Sequence, residues 1–257
     1  MGATFTGAIF GWIINMNMLE GHSICKNHSS KKMGRSGSGK SSLALSLLRG
    51  IYTTGEVMYD GISTSLMNLD SLRSNVTIIP QVPELISGTL RQNLDPFEEI
   101  DDLTLNDTLR SAGLDALQED MAVNEDKLSL DTVISGGGSN LSVGQRQIVA
   151  LARALVRRSK LLILDEATSA IDYKTDNIIQ NYLRKELNKD VTLITIAHRL
   201  HTIMDYDKIM VLEAGNIVEY GVPSELLTQE DGKFRALIEG SNDKEALYAL
   251  SQVNAHS

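Results

Sequence analysis

Three short apolar runs in the chain have the pattern of strands that are buried on both faces. They are Val76–Ile79, Lys160–Leu164 and Val191–Ile196, and polar or turn residues bound each of them. An amphipathic helical pattern over Thr175–Leu187 separates the last two runs. Strands that alternate with helices predict an α/β fold with a mostly parallel sheet and right-handed crossovers.

Two regions depart from this alternation. The runs Lys208–Leu212 and Asn216–Tyr220 predict a β-hairpin, and Glu56–Tyr59 predicts a strand that enters a tight turn at Asp60-Gly61. Residues 88–131 are polar, have helical patterns and contain no good strand. They predict a helical insertion between parts of the sheet.

The helical patterns in and after this insertion cover Leu103–Ala112, Leu114–Glu119 and a longer stretch that ends near Arg158. The longer helix is predicted to start at Ser142, because serine is a good capping residue and Gln145 stands where a capping box requires it.

The feature most specific for function is a glycine-rich loop of the type that binds phosphate groups. It fits the pattern G-x-x-x-x-G-K-[ST] and consists of Gly34, Arg35, Ser36, Gly37, Ser38, Gly39, Lys40, Ser41 and Ser42. Its glycines let successive N–H groups turn toward an anion, Lys40 supplies positive charge, and the Ser41 hydroxyl can bind Mg²⁺. The loop predicts a nucleoside triphosphate as ligand. The alternative is a flexible linker, which the apolar helical pattern over Leu43–Leu48 disfavours.

The residues before this loop fit a phosphate-binding protein poorly. Cys25–Met33 is polar, doubly basic and free of β-branched residues, whereas a phosphate loop normally leaves the end of a buried strand. Met1–Leu19 is apolar but short for a bilayer span, and it lacks the basic start of a signal peptide. We therefore expect residues 1–33 to be an atypical leader, and the chain to be a fragment or aberrant gene product whose true upstream sequence is missing.

Polar side chains follow the apolar strands. Asp165 and Glu166 close one strand, His198 follows a second, and Gln81 follows a third. Asp165 can reach Mg²⁺, and Glu166 can polarise an attacking water. Each alone has a structural alternative: an acidic pair that caps a helix, a core histidine, or a turn residue after proline. Together with the phosphate loop they predict one site at the ligand end of the sheet.

Composition narrows the class of partner. The net charge of −9 disfavours a nucleic-acid partner held through its phosphates. The single cysteine, Cys25, excludes an internal disulfide and fits a reducing compartment. A chain of 257 residues can bury the core of one large domain or two small ones.

The order of the motifs resembles the nucleotide-binding domain of ABC transporters. In chain order the motifs are the phosphate loop, Gln81, Leu141–Gln145, Leu161–Glu166, Ser169–Asp172 and His198. The strings most similar to the multidrug-resistance-protein (C) subfamily are Ile79–Gln81, Ser87–Leu90, Asn93–Pro96 and Leu141–Arg153. Val143 and Glu166 are more like the second nucleotide-binding domain of that subfamily than the first. The resemblance covers Met33–Leu237.

This resemblance implies a P-loop NTPase fold with a mostly parallel sheet flanked by helices. The fold implied also has a helical insertion and an antiparallel β portion. The N-terminal strands of this fold are expected to be incomplete. The ATP-binding domain is expected over residues 34–240, with a helical subdomain at about 88–158 and a tail over 241–257.

The resemblance also implies a role for each matching residue. The loop amides and Lys40 hold the β- and γ-phosphates. Mg²⁺ and the attacking water are bound or positioned by Ser41, Asp165 and Gln81. Glu166 is the general base, and His198 contacts the γ-phosphate as a switch.

A second set of residues is implied to bind the ATP held by an opposite nucleotide-binding domain, so that two domains form two composite sites. These residues are Ser142, Gly144 and Gln145, and Asp172 is implied to lie at the interface between the two domains. Val143 replaces the glycine most common in the family's LSGGQ turn, which puts the donor role of the turn in question because valine disfavours positive φ.

The function implied is an ATP-binding and ATP-hydrolysing domain of an ABC exporter, with ATP and Mg²⁺ as cofactors and transmembrane domains as partners. Such a domain lies at the cytoplasmic face of a membrane as part of the transporter, whereas this chain alone is expected in the cytosol. The alternatives are a nucleotide-binding module without productive turnover and a soluble ABC ATPase.

Overall fold

The computed structural model describes residues 12–14, 29–32, 40–119, 127–165, 176, 179–180, 183, 191–196, 200, 203–204, 206–213 and 216–254. They fall into two compact units. The sheet unit comprises Met1–Ile78, Lys160–Glu166 and Lys189–Ser257, and the helical unit comprises Ile79–Ser159 and Ala167–Asn188.

The strands found in the described residues are β1 (Trp12–Ile14), β2 (Ser29–Lys32), β3 (Met58–Tyr59), β4 (Ile62–Ser63), β5 (Val76–Ile79), β6 (Gly88–Thr89), β7 (Val133–Ile134), β8 (Leu161–Asp165), β9 (Thr192–Ile196), β10 (Lys208–Glu213) and β11 (Asn216–Gly221). The α-helices there are α1 (Lys40–Leu47), α2 (Leu69–Ser74), α3 (Leu90–Leu94), α4 (Asp102–Ser111), α5 (Leu114–Glu119), α6 (Val143–Val156), α7 (Pro223–Thr228), α8 (Lys233–Glu239) and α9 (Lys244–Asn254). None of them is long and apolar enough to cross a membrane.

The main sheet has the strand order β1-β10-β2-β9-β8-β5, with β11 also paired to β10. The pairs β10–β2, β2–β9 and β9–β8 are parallel, whereas β1 and β11 are antiparallel to β10. The predicted α/β architecture is therefore confirmed, and so is the hairpin of β10 and β11. The apolar runs identified from the sequence supply the adjacent strands β9, β8 and β5.

The segment before the glycine-rich loop differs from its prediction. Ser29–Lys32 forms β2, which lies between β9 and β10 and is parallel to both. The low strand propensity of these residues is overridden because neighbours on both sides supply main-chain hydrogen bonds, and propensity alone is a weak determinant of a strand. The expectation of a poor strand at this place is wrong.

Two apolar clusters stabilise the sheet unit. In the first, Ala44 of α1 packs with Leu161 and Ile163 of β8 and with Ile194 of β9. The second gathers around the fully buried Phe234 of α8, which lies among residues of β10, α7 and α9. The first cluster is the one that fixes the helix after the glycine-rich loop against the sheet.

The helical unit is built around α6, against which α3, α4 and α5 pack. The predicted helices at 103–112 and 114–119 are confirmed as α4 and α5. The sequence did not indicate α3 or the two-residue pairing of β6 with β7. Elements this short are fixed by tertiary contacts and carry little periodicity of their own.

Four residues of the predicted helix over 175–187 are described. Asp176, Ile179, Gln180 and Leu183 are helical and buried. Their spacing of three and four places them on one helix face, as the amphipathic pattern predicts.

Candidate nucleotide-binding site

The helix that follows the glycine-rich loop starts at Lys40. Gly34–Gly39 lie outside the described residues, whereas Lys40, Ser41 and Ser42 form the first turn of α1. A helix N-terminus presents unpaired N–H groups and the positive end of the helix dipole, so this turn is suited to a phosphate ligand.

The other end of α1 is held by side chains from later in the chain. The Tyr59 hydroxyl donates to the Leu47 carbonyl over 2.9 Å. Arg49 Nη1 donates to the carbonyls of Thr64 and Met67, over 3.0 Å each. The first bond satisfies a carbonyl at the C-terminal end of α1, and the other two tie the residue Arg49, just after the helix, to the segment at 64–67. The packing of α1 on β8 fixes the direction of the helix.

Asp165 stands at the carboxyl end of β8. The residues Leu161–Leu164 before it are buried, and Asp165 itself is half-buried. It lies opposite Ile196, the last residue of β9. A carboxylate at this edge of a parallel sheet can bind a cation without the full cost of burying its charge.

Besides Gly34–Gly39, three predicted site residues lie outside the described residues. Glu166 follows Asp165 directly in the chain, His198 comes shortly after β9 ends at Ile196, and Asp172 lies between β8 and β9. Their predicted roles stay predictions.

Gln81 lies in the helical unit, just after β5, and is exposed. Its main-chain carbonyl accepts a hydrogen bond from Gln147 Nε2 of α6 over 2.8 Å.

The predicted turn at the start of α6 is present with a complete capping box. Gln145 N donates to Ser142 Oγ over 3.1 Å, and Ser142 N donates to Gln145 Oε1 over 2.8 Å. Val143 is the first helical residue. Its backbone therefore has the negative φ of a helix, so the turn needs no glycine there. Gly144 is buried in the first turn of the helix.

The loop before this turn is held by Arg146, whose Nη1 donates to the carbonyls of Gly138 and Leu141 over 3.1 and 2.7 Å. Gly138 has φ 71°, and a Cβ there would lie 2.9 Å from side-chain atoms of both Arg146 and Leu85. Both the backbone conformation and the lack of space require glycine at this position.

A buried polar network, which the sequence did not indicate, ties the start of the helical unit to α6. Asn93 is 2% exposed and exchanges hydrogen bonds with the main chain of Ile86, over 2.9 Å in each direction. Arg153 donates to the Asn93 carbonyl over 2.7 Å, to Asn93 Oδ1 over 2.8 Å and to the Glu84 carbonyl over 3.1 Å. Burial, with a smaller contribution from the charge of Arg157, lowers the pKa of Arg153.

The structure thus places the predicted residues in two groups. Lys40, Ser41 and Asp165 belong to the sheet unit, while Gln81 and the Ser142–Gln145 turn belong to the helical unit. Each group has a helix N-terminus suited to a phosphate ligand. The first adds a carboxylate that can bind a cation accompanying the phosphates, and the second adds an exposed amide.

Comparison with known proteins gives a consistent result. Residues 26–169 match the protein family described as ABC transporter. The chain is 48% identical over 214 residues to ATP-binding cassette transporter abc4 of Schizosaccharomyces pombe, which covers 81% of this chain and 14% of that protein. It is 49% identical over 208 residues to ATP-binding cassette sub-family C member 2 of Rattus norvegicus, with 79% and 13% covered.

A third relative is the probable multidrug resistance-associated protein lethal(2)03659 of Drosophila melanogaster, 46% identical over 223 residues, with 86% of this chain and 16% of that protein covered. The chain thus spans only 13–16% of the length of these curated relatives. Among solved structures it is similar to a bacterial Atm1-family ABC exporter with ATP bound, with a TM-score of 0.71, 26% identity, 93% of this chain covered and 44% of that chain.

Proposed function

Because this chain belongs to the ABC transporter family, as a nucleotide-binding domain of the exporter type, we propose that it hydrolyses ATP to drive transport by membrane-spanning domains. The observation that carries the proposal is the pairing of α1 with β8. The helix that starts at Lys40 packs on the strand that ends at Asp165. This is the arrangement by which a P-loop protein brings phosphate and metal ligands together.

ATP is the ligand of the sheet unit in this proposal. The amides of Gly34–Gly39 and the N–H groups of the first turn of α1 hold the phosphates, with Lys40 as a positive charge on the β- and γ-phosphates. The family relationship supports this assignment of ATP.

The residues present fit Mg²⁺ as the metal. Mg²⁺ binds few protein oxygens and keeps several waters and phosphate oxygens, and the candidate donors in the sheet unit are the Ser41 hydroxyl and the Asp165 carboxylate. The Gln81 amide oxygen is a third candidate that we propose from the family relationship alone. When bound, the ion neutralises charge on the phosphate oxygens.

Hydrolysis requires one proton acceptor. In this proposal Glu166 takes a proton from water as the water oxygen attacks the γ-phosphorus, the bond from that phosphorus to the β,γ-bridging oxygen breaks, and ADP leaves. His198 contacts the γ-phosphate and distinguishes ATP from ADP.

We further propose that two such domains form two composite sites. The turn Ser142–Gln145 binds the ATP of the opposite domain, and Asp172 lies at the interface between the two domains. The transmembrane domains couple to the helical unit. In a complete transporter the domain then lies at the cytoplasmic face of the membrane.

The first test is binding of a fluorescent ATP analogue to the folded chain. We expect saturable binding that unlabelled ATP displaces, and Lys40→Ala should weaken it by about 10- to 100-fold because a charge-assisted hydrogen bond is lost. Lys244→Ala, on the exposed start of α9, removes the same charge elsewhere and should bind like wild type. A folded wild-type chain that shows no binding contradicts the proposal.

The second test concerns the turn at Ser142. Ser142→Ala should lower the free energy of unfolding by about 1 kcal/mol through loss of the cap and should also lower the ATPase rate. Asn68→Ala is the matched control, since Asn68 caps α2 through its side-chain oxygen and lies outside the proposed sites. Urea denaturation and phosphate release measure the two effects. Equal ATPase rates for both variants would contradict a role of Ser142 in ATP binding.

A further inference from the structure

One side chain of α6 contacts the main chain at Gln81 directly. Gln147 is 2% exposed, and its Nε2 donates to the Gln81 carbonyl over 2.8 Å across a sequence separation of 66. Both residues belong to the helical unit. The contact therefore joins the proposed catalytic glutamine to the helix that begins with the Ser142–Gln145 turn.

The orientation of the Gln147 amide follows from its partner. A carbonyl accepts hydrogen bonds, so the nitrogen and not the oxygen of the amide must face Gln81. Oε1 is then buried without a hydrogen-bond partner among the described residues. Leaving a buried acceptor unpaired costs stability, whereas methionine has a similar length and would fill the space with no such cost. Packing alone does not explain an amide at this position.

Two prolines limit the main-chain hydrogen bonds that the stretch contacted by Gln147 can donate. Pro80 and Pro83 flank it and have no N–H group to donate. Farther along, the carbonyls of Glu84 and Leu85 accept hydrogen bonds from Arg153 and from the Gly137 amide. Gln147 thus holds the main chain at the start of this segment, where the Gln81 side chain is exposed.

We propose that Gln147 is a positioning residue for Gln81, an inference that rests on the proposed role of Gln81 in ATP hydrolysis. By holding the Gln81 carbonyl it sets the direction in which the Gln81 side chain leaves the main chain. It touches neither ATP nor water itself. Because Gln147 and the Ser142–Gln145 turn share one helix, α6 connects both nucleotide-contacting parts of the helical unit.

The test is the variant Gln147→Met. Loss of one hydrogen bond that orients a catalytic group should lower kcat for ATP by about fivefold. KM for ATP should change less than about twofold, since the phosphate loop and not Gln81 supplies most of the binding. The Mg²⁺ concentration for half-maximal rate should rise. In the nucleotide-free chain, hydrogen exchange of a peptide covering residues 81–87 should quicken, with α6 unchanged.

Gln118→Met is the matched control. Gln118 is also buried in the helical unit and also donates its Nε2 to a main-chain carbonyl, that of Leu128, over 3.4 Å. It should keep the wild-type kcat and the wild-type exchange at residues 81–87. This pair separates an effect on Gln81 from the general cost of removing a buried amide.

The outcomes separate this inference from the proposed function. A wild-type rate in Gln147→Met, with or without faster exchange, overturns the positioning role. An equal loss of kcat in Gln118→Met also overturns it, because the effect would then be one of stability. A wild-type chain that neither binds nor hydrolyses ATP contradicts the proposed function and this inference together.

Discussion

Replacing Glu166 with glutamine should lower the rate of ATP hydrolysis by about 10²- to 10⁴-fold while ATP binding persists. Glutamine has nearly the size of glutamate but cannot accept the proton that the attacking water must lose. Glu166 follows Asp165, which ends β8, so the change removes the general base and leaves the proposed metal ligand in place. Phosphate release by the purified chain with Mg²⁺ and ATP, beside binding of the fluorescent analogue, measures both effects.

Glu213→Gln provides a matched control for this substitution. Glu213 also closes a strand, β10, is half-buried, and pairs with Lys233 over 3.2 Å. Such a partly exposed ion pair contributes little to stability, so this variant should turn over ATP at the wild-type rate. If Glu166→Gln binds ATP and hydrolyses it as fast as the wild-type chain, Glu166 is not the general base. The proposed mechanism of ATP hydrolysis then fails for the isolated chain.

A weak strand before the phosphate loop would favour the alternative of a nucleotide-binding module without turnover, because it would hold the loop loosely. The structure does not support this argument, since β2 lies between β9 and β10 with parallel partners on both sides. The alternative of a soluble ABC ATPase has the acidic net charge of −9 against it. The proteins similar to this chain include a sub-family C member, a probable multidrug resistance-associated protein and an ABC exporter.

Much of the sheet could be predicted because three of its strands carry their signal locally. β5, β8 and β9 are continuous apolar runs, the pattern of strands covered on both faces. β2 carries no such signal. Its Ser and Lys residues favour no strand, and only its place between two neighbours makes one.

The site shows the same division between local and long-range information. The Ser142–Gln145 capping box spans one helical turn and could be predicted from residue types alone. The contacts of Gln147 with Gln81 and of Arg153 with Asn93 join residues 66 and 60 positions apart, and no local pattern specifies such pairs. A weak signal did exist, since the residues three and four positions from Gln147 on either side in α6 are all apolar or glycine.

The Asn93 side chain makes four hydrogen bonds at a buried position of the helical unit. Its Nδ2 donates to the carbonyls of Ile86 and Thr89 over 2.9 and 3.0 Å. Its Oδ1 accepts from the Ile86 amide over 2.9 Å and from Arg153 Nη2 over 2.8 Å. The chain before α3 is thus fastened to α3 and α6 through one buried amide.

Asn93→Ala should therefore lower the free energy of unfolding by about 3–5 kcal/mol, because it leaves buried donors and acceptors unpaired at once. That is a large part of the 5–15 kcal/mol that typically stabilises a domain, so a lower urea midpoint and faster proteolysis of the helical unit should accompany it. Asn106→Ala is the control: Asn106 donates its Nδ2 to the Asp102 carbonyl over 2.8 Å but is exposed, so water replaces the lost bond. Equal urea midpoints for the two variants would mean that the buried network contributes no more to stability than a surface hydrogen bond.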